Sequence, residues 1–98
     1  MNILGFFERL LPRVRSREDL HFVLYTRVGC HLCEEAHRQL ILAQQRYGFV
    51  LEERDIDVDP ELKAQFGECV PVVVIDGRER FRGMVNEVLL VRTLRAGK

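Results

Sequence analysis

Two cysteines with two residues between them, Cys30 and Cys33 in the stretch Thr26-Arg27-Val28-Gly29-Cys30-His31-Leu32-Cys33-Glu34-Glu35-Ala36, are the side chains best suited to chemistry in this sequence. A thiol attacks as its thiolate, and an ordinary cysteine with a pKa of about 8.5 is mostly protonated near neutral pH, so its surroundings must stabilise the anion. The flanking sequence supplies a means. An apolar, strand-like run from His21 to Thr26 stops at a glycine turn, and a helix-period pattern begins at once. Cys30 then falls at a helix start, where unpaired backbone N–H groups and the positive end of the helix dipole favour negative charge. Cys33, one turn further on, can reach back to the first sulfur. Position thus makes Cys30 the exposed nucleophile and Cys33 the partly buried thiol that closes a disulfide and releases the product.

The elements that hold this pair must come from one small domain. The chain has 98 residues, 47% apolar and 31% charged, a balance suited to a soluble globular fold with a single core. Its formal net charge of zero argues against nonspecific nucleic-acid binding, because no basic field is present to displace counterions from phosphates. Three cysteines are an odd number, whereas a secreted scaffold stapled by disulfides normally carries an even set. A reducing, cytoplasmic setting and a monomer are expected. Glu8 and Arg9 interrupt the apolar N-terminus, which never reaches the roughly 20 apolar residues of a spanning helix. It also lacks the basic start and small-residue cleavage site of a signal peptide.

Residues 1–20 read as an N-terminal amphipathic extension. Ile3, Leu4, Phe6, Phe7, Leu10, Leu11 and Val14 recur at helical intervals after Asn2 as N-cap, and Pro12 ends the pattern. Arg13, Arg15 and Arg17 follow as a short basic link without regular structure. The apolar face packs on the domain, or anchors a partner or a membrane surface with the basic flank adding affinity for anionic lipid, or the segment is simply disordered.

The domain proper is expected over 21–98. Leu32, Ala36, Leu40, Ala43 and Tyr47 form one helical stripe, with Glu34 and Glu35 in the first turn, Arg46 in the last and Gly48 as the stop. Phe49 to Val58 reads as a second strand with Ile56 and Val58 on one face. Asp59-Pro60 opens a short helix with Leu62 and Phe66 on its buried side. Val70 to Ile75 is a continuous apolar run suited to a central strand. Asp76-Gly77 is a two-residue hairpin turn into an antiparallel strand, Arg78 to Arg82. Gly83 breaks that strand, and Val85, Val88, Leu89 and Arg92 mark a closing helix. The order βαβαββα implies an α/β fold with a mixed four-stranded sheet, in which parallel pairs joined by helical crossovers carry an antiparallel edge.

That order, with a dithiol between first strand and first helix and Val70-Pro71 opening the third strand, resembles the thioredoxin superfamily in its compact glutaredoxin form. Tyr25 to Ala36 is similar to the small bacterial glutaredoxin-like family that carries a Gly-Cys-His-Leu-Cys-Glu signature. The resemblance runs from about Phe22 to Leu94 and implies a three-layer sandwich. It implies a cis Val70-Pro71 bond lying against the dithiol, with the backbone of Val70 exposed to pair with a bound peptide or thiol. It places Arg27 near a glutathione carboxylate, where it would also help to stabilise the thiolate. At the other end of the site the family has paired glycines, a small hydroxyl residue and an aspartate for the γ-glutamyl amine. This sequence has Arg82-Gly83-Met84-Val85-Asn86, so Gly83 and Asn86 would line the site without the charge-assisted bond. No cofactor is expected, and glutathione only as a weak co-substrate.

Cys69 stands where the family usually has threonine, either as a small core residue or as a second redox partner for Cys30. His31 could lower the pKa of Cys30 when protonated or face solvent without effect. Asp55, Asp57 and Asp59 read as a solvated, helix-capping run, since the glycine and terminal glutamate of a calcium loop are missing. The leading expectation is a thiol–disulfide oxidoreductase acting on a disulfide-bearing protein or a small mixed disulfide. The alternatives are a zinc or iron–sulfur module on Cys30, Cys33, Cys69 and His31, and an adaptor that keeps the fold without turnover.

Overall fold

The structure is a computed structural model that describes residues 16–96. The expected N-terminal helix and most of the basic link lie outside the described residues. In chain order the elements are β1 (His21–Thr26), α1 (His31–Tyr47), β2 (Val50–Asp55), a 3-10 turn (Ile56–Val58), α2 (Pro60–Phe66), β3 (Val72–Ile75), β4 (Arg78–Arg82) and α3 (Glu87–Arg95). The sheet order is β2-β1-β3-β4, leaving β2 and β4 at the edges. β1 runs parallel to β2 and antiparallel to β3, and β3 is antiparallel to β4.

The expectation of several parallel pairs is therefore corrected to one. Seven helical residues in α2 cover only about 10 Å, half of the roughly 20 Å that a six-residue strand spans. The crossover does not carry the chain back along β2, so β3 starts near the dithiol end and runs the other way.

Alternation along the strands divides the interior into two layers. Phe22 and Leu24 of β1 and Val73 and Ile75 of β3 face α1 and α3, where they meet Ala36, Leu40, Tyr47, Leu90 and Leu94. The rings of Phe22 and Phe49 stack there with centroids 3.9 Å apart. The opposite face packs Val72, and less completely Tyr25 and Val74, against Ile56, Leu62 and Phe66, with Tyr25 and Phe66 rings 4.5 Å apart. The result is the α/β/α sandwich.

Local differences from the expected elements have physical causes. In α1 the buried stripe is Cys33, Ala36, Leu40 and Tyr47, and Leu32 is exposed, because steps of four and seven back from Leu40 reach Ala36 and Cys33 rather than Leu32. The second strand stops at Asp55, whose carboxylate accepts the Asp57 N–H at 2.9 Å and turns the chain into the 3-10 segment. Ile56 is thereby buried while Val58 stays exposed. Asn86 caps α3, so Leu90 and Leu94 take the inward positions and Val88 and Leu89 face out. Val70 and Pro71 are buried but precede β3.

Of residues 17–20, assigned from the sequence to the extension, Leu20 joins this core and Arg17 is buried beside it, while Glu18 and Asp19 stay exposed. Leu20 is buried, and Arg17 is 5% exposed. The Arg17 guanidinium donates to the carbonyls of Leu94 and Ala96 at 2.7 Å each and of Thr93 at 3.4 Å, closing the C-terminal end of α3. The Asp76-Gly77 turn has positive φ at both residues, 50° and 82°, the geometry its sequence demands. No described helix is long and apolar enough to cross a membrane.

Candidate active site at the start of the first helix

Cys30 is the N-cap of α1, with φ −96° and ψ 110°. Its Sγ accepts the backbone N–H of Cys33 at 3.2 Å, and its carbonyl accepts the Glu34 N–H at 3.1 Å. The turn that brings it there passes through Gly29 at φ +80°, and a Cβ on that glycine would meet nothing within 4 Å, so the backbone angle alone calls for glycine. A neutral sulfur is a weak acceptor at a cap, whereas a thiolate receives a charge-assisted bond from the same N–H.

Cys30 and Cys33 are joined as a disulfide with Cα atoms 5.2 Å apart, inside the ordinary range for a bridge. Cys33 is 4% exposed and Cys30 half-buried. Both pack in the layer that contains Val70 and Val72. The Val70–Pro71 bond is cis, and the Pro71 carbonyl accepts the Gly83 N–H at 2.7 Å, which ties the end of β4 to the segment beside the dithiol. Val28, Leu32 and Met84 are exposed in the segments next to the cysteines and the proline.

Of the expected binding residues, several are engaged elsewhere. Arg27 forms a two-point contact with Asp57, Nη2 to Oδ1 at 2.8 Å and Nε to Oδ2 at 3.3 Å. Its hydrogen bond and charge hold the Asp57 carboxyl below the usual range and raise the arginine in turn. Asp57 is thus an ion-pair partner rather than a solvated capping residue, while Asp55 and Asp59 do cap. Asn86 Oδ1 accepts the Leu89 N–H at 3.0 Å, and Val85 is buried in the main core. His31 is exposed in the first turn of α1.

Cys69 is exposed and unpaired as a thiol, which corrects its reading as a small core residue. The Arg82 guanidinium bonds the Glu79 carboxylate, Nε to Oε2 at 3.0 Å, and that contact, with a smaller influence of the neighbouring Cys69, holds it above the ordinary arginine value. Among the described residues no three His, Cys, Asp or Glu side chains gather to hold a metal ion, so the geometry gives no support to the metal-module alternative.

The sequence did not single out the cleft beside Cys33. It has a volume of ≈ 530 Å³ and lies between the Thr26–Gly29 turn, the first turns of α1 and the end of β2, with Glu34, His37, Glu53 and Asp55 in its wall. His37, a surface residue of the helix, bonds Glu53 Oε2 through Nδ1 at 2.5 Å. A separate groove on the far side, between α1 and α3, is lined by Leu42, Tyr47, Leu90 and Val91, away from the cysteines.

Comparison with known proteins matches this chain to a family and to a shared fold. A family model described as Glutaredoxin-like domain (DUF836) matches residues 21–95. An uncharacterized protein of Mycobacterium tuberculosis is 39% identical over 69 residues, spanning 65% of this chain and 71% of the relative. A solution structure from Nitrosomonas europaea has 29% identity and a TM-score of 0.66, over 76% of this chain and 89% of that one. A crystal structure from X. campestris has 33% identity and a TM-score of 0.60, over 79% and 99%. Oxidized mitochondrial thioredoxin 3 from Saccharomyces cerevisiae, at 18% identity and a TM-score of 0.60 over 94% and 88%, shares the fold.

Proposed function

The chain belongs to the Glutaredoxin-like domain (DUF836) family, and from that premise we propose that it is a thiol–disulfide oxidoreductase acting on protein disulfides. The Cys30 thiolate attacks one sulfur of the substrate disulfide, forming a Cys30–substrate mixed disulfide and releasing the other sulfur as a thiolate that takes up a proton. The Cys33 thiolate then attacks Cys30 Sγ, forming the Cys30–Cys33 disulfide and releasing the second substrate thiol. Substrate gains the two electrons that the dithiol loses, and a thiol or dithiol donor returns them by the same exchange in reverse.

One observation carries the reading. Cys30 Sγ occupies the N-cap with the Cys33 N–H directed at it and Cys33 within bridging distance, so the same helix start stabilises the attacking anion and positions the resolving thiol. The substrate class follows from the rim. Arg27 is held by Asp57 and Asn86 by its own helix, which weakens the case for glutathione, while exposed Val28, Leu32 and Met84 suit an apolar polypeptide. We place the protein in the cytoplasm as a monomer, with no resident cofactor.

The test is reduction of a protein disulfide by the full chain with a dithiol donor. Cys30→Ser should abolish turnover, and Cys33→Ser should trap a mixed disulfide on Cys30. Unchanged behaviour of Cys30→Ser in partner binding, with no turnover by the unmodified chain, would identify an adaptor instead.

A further inference from the structure

The cleft beside Cys33 contains a histidine–carboxylate pair that the scheme above does not use. His37 lies four residues after Cys33 on α1, and helical side chains lean toward the N-terminus, so a side chain at position 37 can reach toward the turn that carries Cys33. An ionised carboxylate can only accept, so the 2.5 Å contact makes His37 Nδ1 the donor to Glu53 and leaves Nε2 as an acceptor. Cys33, His37 and Glu53 all contribute to the wall of the same ≈ 530 Å³ cleft. Cys33, 4% exposed in the bridged form, has little water of its own to take its proton once reduced, yet it must become a thiolate before it can resolve a mixed disulfide.

We infer that the His37–Glu53 pair takes the proton of Cys33 as that sulfur attacks the mixed disulfide on Cys30. The proton passes from Cys33 Sγ to His37 Nε2, directly or through one cleft water, while Glu53 holds the ring in this tautomer and stabilises the imidazolium. The Cys33 thiolate then forms the Cys33–Cys30 bond as the Cys30–substrate bond breaks, and the departing substrate thiolate is the base that the imidazolium can reprotonate. The other charged side chains in the cleft wall are Glu34 on the same helix, Asp55 at the end of β2 and Arg27, whose guanidinium is bound to Asp57.

This inference rests on the oxidoreductase reading, and one experiment separates the two. The reduced full chain carrying Cys69→Ser is mixed with a chromogenic aryl disulfide that releases one coloured thiolate when Cys30 attacks and a second when Cys33 resolves, each followed by stopped flow across pH. In His37→Gln the second phase should slow by at least about tenfold near neutral pH and recover as rising pH ionises Cys33 unaided, with the first phase unchanged. Glu53→Gln should fall between this variant and the parent. An unchanged second phase in His37→Gln, or a loss equal at every pH, overturns the inference and leaves the oxidoreductase reading intact. Absence of the first phase in the parent overturns both.

Discussion

The Arg27 guanidinium and the Asp57 carboxylate, in contact at 2.8 and 3.3 Å, tie the turn before the dithiol to the 3-10 segment after β2. The pair holds Asp57 below its ordinary carboxylate value, so the unfolded chain binds the proton more readily than the folded one. Its contribution is present above the unfolded aspartate range, near about pH 4, and is lost as pH falls through the folded value. Asp57→Asn should lower the melting temperature slightly at pH 7, and the gap from the parent should close at an acid pH below the folded carboxylate value. Thermal unfolding monitored by circular dichroism at the two pH values checks this, and a gap that persists in acid would show that the carboxylate charge is not its cause.

The same contact bears on glutathione. Asp57→Asn frees Arg27 to meet a carboxylate, and Asn86→Asp restores a charge at the other end of the site while keeping an oxygen that can cap α3. The double variant should turn over a glutathione mixed disulfide several-fold faster than the parent, with each single change giving part of the gain. A coupled assay that consumes glutathione measures it, and robust activity in the unmodified chain would remove the reason for expecting any gain.

Reactivity should differ sharply within the dithiol. In reduced protein carrying Cys69→Ser, Cys30 should alkylate at least about tenfold faster than Cys33 near neutral pH, since it sits at the helix start half-exposed and Cys33 is buried. Timed iodoacetamide labelling read by peptide mass gives the ratio, and equal rates would reverse the roles assigned to the two sulfurs.

Arg17 closes the carbonyl end of α3 from inside the core. Arg17→Ala strips donors from buried carbonyls and should cost about 1–3 kcal/mol in urea unfolding, with Arg17→Lys recovering only part because an ammonium cannot reproduce the planar fork. Thiol reactivity at Cys30, far along the sheet, should not change in either variant.

Local signals in the sequence were enough for the parts of the fold that local physics decides. Gly48 after Arg46, Asp59 before Pro60 and the Asp76-Gly77 pair each mark an end or turn where the structure has one. The dithiol was legible for the same reason, because strand, glycine turn and helix start are contiguous. Strand direction was not, since alternation records which face a residue takes and nothing about which way the chain enters. The inward position of Cys33 over Leu32 turned on one residue of helical phase. Arg17 with α3, Arg27 with Asp57 and His37 with Glu53 join positions 16 or more apart, and a charged residue seen alone in sequence reads as a surface residue until its partner is in place.

The two outer strands settle how this sheet can meet another chain. β2 presents Glu52, Glu53, Arg54 and Asp55, and β4 presents Arg78, Glu79, Arg80 and Arg82. Charged side chains along an open strand discourage an incoming one from continuing the ladder. Fibril-like growth from either flank is thereby disfavoured, and the segment without charged side chains, Val70–Pro71, is kept buried beside the two cysteines rather than on an open flank.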